Sequence, residues 1–76
     1  MKRVTAFLTT PLFSSNTEPH LPAGTVRIEG ELLNQENNGA LIQATAYANA
    51  RGKALDGQPT MLFLPLHKID HLSFSD

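Results

Sequence analysis

The most regular alternation of hydrophobic and polar residues lies in positions 25–33. Val26, Ile28 and Leu32 alternate there with polar or charged neighbours, and Gly30 occupies a position of the apolar series. A period of two is typical of a strand with one buried face. A glycine at an inward position indicates a bulge or a bend, as small barrels require. This segment is predicted to be a bent, half-buried strand.

Asn38-Gly39 marks the turn after this strand, because both residues tolerate the positive φ angles of a tight hairpin turn. The next segment, 40–50, supports two interpretations. Its alanines favour a helix by intrinsic propensity. Its alternation with period two, and the hairpin signal before it, favour a partner strand. We favour the strand, whose predicted inward residues are Ile42, Ala44, Ala46 and Ala48.

Three further segments have the composition of short strands. They are residues 3–9, 60–66 and 70–75. The apolar run 60–66 is typical of a central strand covered on both faces, or of one paired at an interface. The last strand is predicted to turn Leu72 and Phe74 inward.

Turns and loops connect these strands. Proline, serine, asparagine and glycine between residues 11 and 24 predict a long loop, and residues 51–59 contain a second turn. Residues 67–69 are predicted to make one helical turn, and Pro65 should end the pairing of its strand. The fold class that results is all-β: a small five-stranded barrel, closed or partly open.

Composition bounds the class of protein. The 76 residues leave room for one domain, 1–76, with 17% charged residues, a net charge of -1 and no cysteine. A disulfide scaffold and a cysteine zinc module are excluded. The near-neutral charge argues against a strongly basic nucleic-acid binder, and we expect no DNA partner. The apolar runs are too short for a membrane span and too interrupted for a signal peptide, so we expect a cytoplasmic protein without a membrane partner.

Self-association is the expected way for so small a domain to bury more apolar surface. The apolar strand 60–66 is the segment that most needs a second cover. The predicted interface residues of this homo-oligomer are Met61, Phe63, Leu64, Leu66 and Leu72. The alternative is that residues 1–13 of the same chain fold back over the strand.

The stretch 61–72 has the form strand, one helical turn carrying His67-Lys68, strand. It resembles the second signature region of the Sm-like family, particularly its bacterial RNA-chaperone branch. Gly30 resembles the glycine at which the family's second strand bends. The resemblance implies a strongly bent five-stranded barrel that forms rings by pairing the fourth strand of one subunit with the fifth of the next. It also implies that His67 and Lys68, in reversed order here, lie near the pore and contact RNA.

A basic surface with aromatic residues could bind single-stranded RNA through phosphate contacts and base stacking. The candidate RNA-binding residues are His67, Lys68, Arg51, Lys53 and Tyr47. The alternative is that these are solvated loop charges, since acidic residues are nearly as numerous close by.

His67 and His71 lie four residues apart, a spacing that places both on one side of a helix or a strand, as metal ligands require. Further ligands would have to come from Glu18 or His20, and the alternative is that both histidines simply border a turn. No catalytic motif and no cofactor site is recognised. The expected function is thus a non-enzymatic, self-associating assembly or binding module, with an RNA-binding ring as the alternative and a metal-binding module as a third possibility.

Overall fold

In the part of the chain that the structure describes, the regular structure consists of strands and one turn of 3-10 helix. The structure is a computed structural model that describes residues 2–12, 22 and 24–75. In chain order the elements are β1 (Lys2–Leu8), β2 (Arg27–Glu36), β3 (Gly39–Ala48), β4 (Ala54–Leu55), β5 (Thr60–Pro65), the 3-10 turn (Leu66–Lys68) and β6 (Ile69–Ser75). The predicted all-β class is confirmed.

The strands form one antiparallel sheet in which β3 has the most partners. β3 pairs with β2 along one edge, and with β5 and the short β4 along the other. β1 lies between β2 and β6. Among the described residues, β5 pairs with β3 alone and β6 with β1 alone, so the sheet is not closed. The two-residue β4 is the strand that the five-strand prediction did not contain.

The alanine-rich segment is a strand, but its alternation is interrupted. The pairing with β2 skips Thr45, and this β-bulge reverses which residues face the core. Before the bulge, Ile42 and Ala44 are fully buried. After it, Tyr47 and Ala48 are buried, whereas Ala46 is exposed. The prediction that Ala46 faces inward is therefore wrong, because one extra residue changes the parity of the strand.

Gly30 lies where β2 and β3 approach each other most closely. A methyl group at this position would overlap the backbone carbonyl oxygen of Gln43. A second shift of register in β2 follows after Leu32, which leaves Leu33 exposed. The register shifts at Gly30 as predicted, but the extra residue of this bulge is Thr45 of β3 rather than a residue of β2.

The hydrophobic core lies on one face of the sheet and is built from small and branched side chains. Its buried members are Val4, Ala6, Leu8, Ile28, Ala40, Ile42, Ala44, Tyr47 and Leu64. Each of the strands β1, β2, β3 and β5 contributes to it. The alanines let neighbouring chain segments approach closely, so that this small sheet can curve around its own core.

The apolar run is an edge strand rather than a strand covered on both faces. β5 has its inward residues in the core, but its outward residues are exposed. The predicted long loop lies partly outside the described residues, since 13–21 and 23 are not among them. Its two ends meet: Leu12 donates its N–H to Thr25 at 3.0 Å, and Gly24 donates its N–H to Leu12 at 3.0 Å.

No helix in the described part of the chain is long and apolar enough to cross a membrane.

Candidate interaction surface

The outward side of β5 carries two large apolar side chains. Met61 is 59% exposed and Phe63 is 43% exposed. Their cross-strand neighbours in β3, Gln43 and Leu41, lie on the same outward face and are half-buried. Leu66, in the turn that follows, is 61% exposed. These three exposed residues, Met61, Phe63 and Leu66, form an apolar surface of the kind that marks protein contact sites.

Two unpaired strand edges lie at opposite ends of the sheet. Within the described chain, the side of β5 away from β3 and the side of β6 away from β1 have no strand partner. Backbone N–H and C=O groups on such edges are ready to pair with another strand. Charged side chains often protect an edge from such pairing, but β5 contains none.

The 3-10 turn fixes the two edges relative to each other. Thr9 donates its N–H to the Lys68 carbonyl at 2.8 Å and its hydroxyl to the His67 carbonyl at 3.1 Å. On the other side, Leu66 donates its N–H to the Asn38 carbonyl at 2.8 Å. The turn is thus fastened both to the end of β1 and to the β2–β3 hairpin.

The five predicted interface residues divide into two groups. Met61, Phe63 and Leu66 are exposed, as an interface requires. Leu64 is only 4% exposed and belongs to the core, because it has the inward parity of β5. Leu72 is half-buried and packs against the core. Leu64 therefore does not lie on the surface with the others.

The predicted basic residues occupy two loops. The Asn49 side-chain oxygen accepts hydrogen bonds from the backbone N–H groups of Arg51 and Lys53, both at 3.0 Å, and this tight turn leaves their side chains exposed. Lys68 lies in the 3-10 turn, where its Nζ donates to the Thr10 hydroxyl at 2.6 Å.

These two basic loops lie at the same end of the sheet but not side by side. Lys68 is bonded to the end of β1, which in turn is bonded through Val26 to Ala48 at the end of β3. The bonded path from Lys68 to the turn that holds Arg51 and Lys53 therefore crosses β1, β2 and β3.

Tyr47 and His67 have different environments. The Tyr47 ring is 3% exposed, and its hydroxyl donates to the Gln58 carbonyl at 2.8 Å. A buried ring has no open face for a nucleic-acid base, so the candidate stacking role of Tyr47 is not compatible with this fold. His67 is exposed.

His71 is held on two sides by its neighbours. The pairing of β1 with β6 skips Asp70, and a bulge of this kind redirects a side chain. The Asp70 carboxylate lies 2.7 Å from His71 Nδ1. The His71 ring also stacks on Phe7, with the ring centroids 4.4 Å apart and the planes at 16°. These contacts orient an otherwise exposed imidazole.

In the described residues, no third ligand completes a metal site with His67 and His71. Across residues 2–12, 22 and 24–75, no group of three or more histidine, aspartate or glutamate side chains could hold an ion. Glu18 and His20, the predicted additional ligands, lie outside the described residues.

A groove of about 250 Å³ runs between β6 and the β2–β3 hairpin. Its β6 wall includes Leu72 and Phe74 from the inward side of the strand and His71 from the outward side. Residues from both faces of β6 line the groove, so the groove runs along the backbone edge of this strand. The opposite wall includes Glu36 and Leu66.

This groove was not predictable from the sequence. Phe74 is predicted to face inward, and it does lie opposite buried Val4, yet it is 46% exposed. Glu36, near the hairpin, gave no signal by itself. Only the curvature of the sheet, which brings the hairpin towards β6, places these two residues along one groove.

Comparisons with protein-family models, with curated proteins and with solved structures find no match to this chain. The candidate surface is therefore defined by its own geometry.

Proposed function

We propose that this protein is a non-enzymatic module of the SH3-like or Sm-like barrel type that assembles with further copies of itself. The observation that carries the proposal is the exposed pair Met61 and Phe63 on an unpaired edge strand. Support for the barrel type comes from the strand order, in which β6 returns to β1 while β5 pairs with β3 and a 3-10 turn joins β5 to β6.

In this assembly the free edge of β5 in one copy pairs with the free edge of β6 in the next. The two edges differ, so the contact is heterologous, and such contacts repeat until they close a ring or extend as a filament. Antiparallel addition continues the sheet from one copy into the next, so that Met61 and Phe63 gain cross-strand neighbours from β6 of the next copy. It also supplies partners to both rows of backbone groups.

The alternation of side chains selects a register for this pairing. Inward residues of β5 must lie beside inward residues of β6. One register places Leu62 opposite Phe74 and Leu64 opposite Leu72, so that apolar residues face each other. It also places Pro65, which lacks an N–H donor, opposite the bulged end of β6.

The first experiment measures mass in solution by sedimentation equilibrium. The expected mass is a multiple of 8.3 kDa. The double variant Met61→Thr with Phe63→Thr should fall to the monomer mass while keeping its far-UV circular dichroism, since threonine suits a strand. Leu33→Thr is the matched control, because Leu33 is 37% exposed but lies on β2, and it should leave the mass unchanged. A wild-type monomer at high concentration would contradict the proposal.

Cysteine cross-linking tests the register, because the chain has no cysteine of its own. In the proposed register Met61 of one copy lies opposite Ser75 of the next. The variant Met61→Cys with Ser75→Cys should form disulfide-linked oligomers, since Cα atoms of bonded cysteines lie about 4.4–6.8 Å apart. Met61→Cys with Ser73→Cys is the control and should cross-link less, because the diagonal distance is longer. Preferential cross-linking of the control pair would rule out this register.

An RNA-binding ring is a second proposal, favoured by the common location of Arg51, Lys53 and Lys68 at one end of the sheet. Rotational symmetry would bring copies of these residues around one opening. Filter binding of oligo-U and oligo-A should then show retention that weakens as salt is raised. Absence of salt-sensitive retention would end this proposal.

A further inference from the structure

The groove along β6 has an apolar lining. Its apolar side chains come from the 3-10 turn and from β6, and they are Leu66, Ile69, Leu72 and Phe74. Leu66 and Phe74 are 61% and 46% exposed. The narrow floor is completed by Gly39 and Ala40 at the start of β3. A surface of this shape gains free energy when an apolar group enters it.

The charge of this groove has one sign. Its two ionic residues are Glu36 and Asp70, and no lysine or arginine lines it among the described residues. Glu36 accepts a hydrogen bond from the Asn34 amide at 3.4 Å, and Asp70 contacts the adjacent imidazole. Within the described chain neither carboxylate pairs with a lysine or arginine. A cationic ligand would supply that missing partner.

The His71 imidazole favours a ligand that donates a hydrogen bond. With Nδ1 of His71 bonded to Asp70, Nε2 is the nitrogen that can accept a hydrogen bond in the neutral ring. The Lys2 ammonium lies 5.6 Å from the Phe74 ring centroid, so the chain already places a cation on this ring, and the cationic side chains of a ligand are left to Glu36 and Asp70.

We propose that the groove binds an extended peptide segment of a partner protein in which lysine or arginine alternates with apolar residues. The apolar side chains enter the groove, and the cationic side chains reach Glu36 and Asp70. A peptide is favoured over a free amine because the groove follows an unpaired strand edge, whose N–H and C=O groups only another backbone can pair along their length.

This site shares the β6 edge with the proposed self-association, but it does not depend on that association. The apolar strand β5 carries no charge, so a second copy pairing through β5 would leave both carboxylates without a cation. A basic peptide and a second copy would then compete for the same edge. Peptide binding is therefore measured both on the wild-type chain and on the Met61→Thr with Phe63→Thr variant.

The probe is a short acetylated peptide in which lysine and arginine alternate with valine, titrated by NMR and calorimetry. We expect shifts in the His71 imidazole and the Phe74 ring, and binding that weakens with salt. A peptide with glutamine in place of the basic residues should bind about tenfold more weakly, or about 1.4 kcal/mol. The Glu36→Gln with Asp70→Asn variant should lose the same factor for the basic peptide, whereas Glu31→Gln, which lies on β2 away from the groove, should not.

Equal affinity for the basic and the neutral peptide, or shifts confined to other residues, would overturn the proposal. The mass of the wild-type chain, followed in the same titration, keeps the two proposals apart. Peptide binding to a chain that is always monomeric supports the groove and refutes self-association. An assembling chain that ignores the peptide, even as the Met61→Thr with Phe63→Thr variant, refutes the groove alone.

Discussion

β3 and β5 are neighbours in the sheet and both are apolar, yet they have opposite relations to solvent. β3 pairs along both edges, and its outward residues Leu41 and Gln43 are half-buried. β5 pairs along one edge, and Met61 and Phe63 on its outward face are exposed. Position in the sheet, rather than hydrophobicity, therefore decides burial within one copy. An apolar edge strand indicates a partner that the single chain does not contain.

Glycine substitutions are expected to cause the largest losses of stability, and they test this difference between β3 and β5. Gly30→Ala would press a methyl group into the backbone of β3, which is held by strands on both sides and cannot move away. We expect a loss of about 3 kcal/mol or more in the free energy of unfolding, measured by urea titration.

Gly39→Ala is the counterpart at the contact between β3 and β5. Its methyl group would overlap the Leu64 carbonyl oxygen, but β5 is an edge strand and can shift outward. The expected loss is about 1–2 kcal/mol. Equal losses at Gly30 and Gly39 would show that the edge strand is as firmly held as the central one.

Truncation of an apolar side chain should reduce the free energy of unfolding more in β3 than in β5. Ile42→Ala removes a fully buried side chain and should destabilise the fold by about 3 kcal/mol. Phe63→Ala should cost the dilute monomer less, about 1 kcal/mol, because 43% of this residue is already exposed to water. The same Phe63→Ala variant should lower the mass of the assembly. A large monomer destabilisation by Phe63→Ala would contradict the view that this ring serves a contact between copies.

The last expected effect concerns the connection between β3 and β5. The Gln58 carbonyl accepts hydrogen bonds from the Tyr47 hydroxyl at 2.8 Å and the Thr60 hydroxyl at 2.9 Å. Tyr47→Phe should cost about 1 kcal/mol. Because both donors share one acceptor, the double variant with Thr60→Val should not be additive in a double-mutant cycle. Strict additivity would show that Tyr47 and Thr60 act independently.

Much of the fold follows from local sequence signals. The β2–β3 hairpin and the alternating strand before it are readable because each depends on neighbouring residues, but the turn lies at Asn37-Asn38, and Gly39 already belongs to β3 and has no positive φ. The reversal of parity at Thr45 was not predictable, since a bulge depends on how two strands fit together. The edge position of β5 was not predictable either, because the strand order is a property of the whole chain.

The two candidate surfaces also differ in whether the sequence predicts them. Exposed Met61, Phe63 and Leu66 were identified from an apolar run that is too long for one buried face. The groove beside β6 was not, because Glu36 and Phe74 are distant in sequence and meet only through curvature of the sheet. No local pattern could have joined them.

The pairing of β1 with β6 has a consequence for the rate of folding. The β2–β3 hairpin can form quickly, because its strands are adjacent in the chain. The β1–β6 ladder sets Arg3 opposite Ser75, so nearly the whole chain must close into a loop before this ladder forms. Non-local pairing of this kind slows folding to the millisecond-to-second range. Chains that have formed the hairpin but not this ladder would expose β1 as well as β5 and β6, and these are the chains most prone to aggregate during refolding.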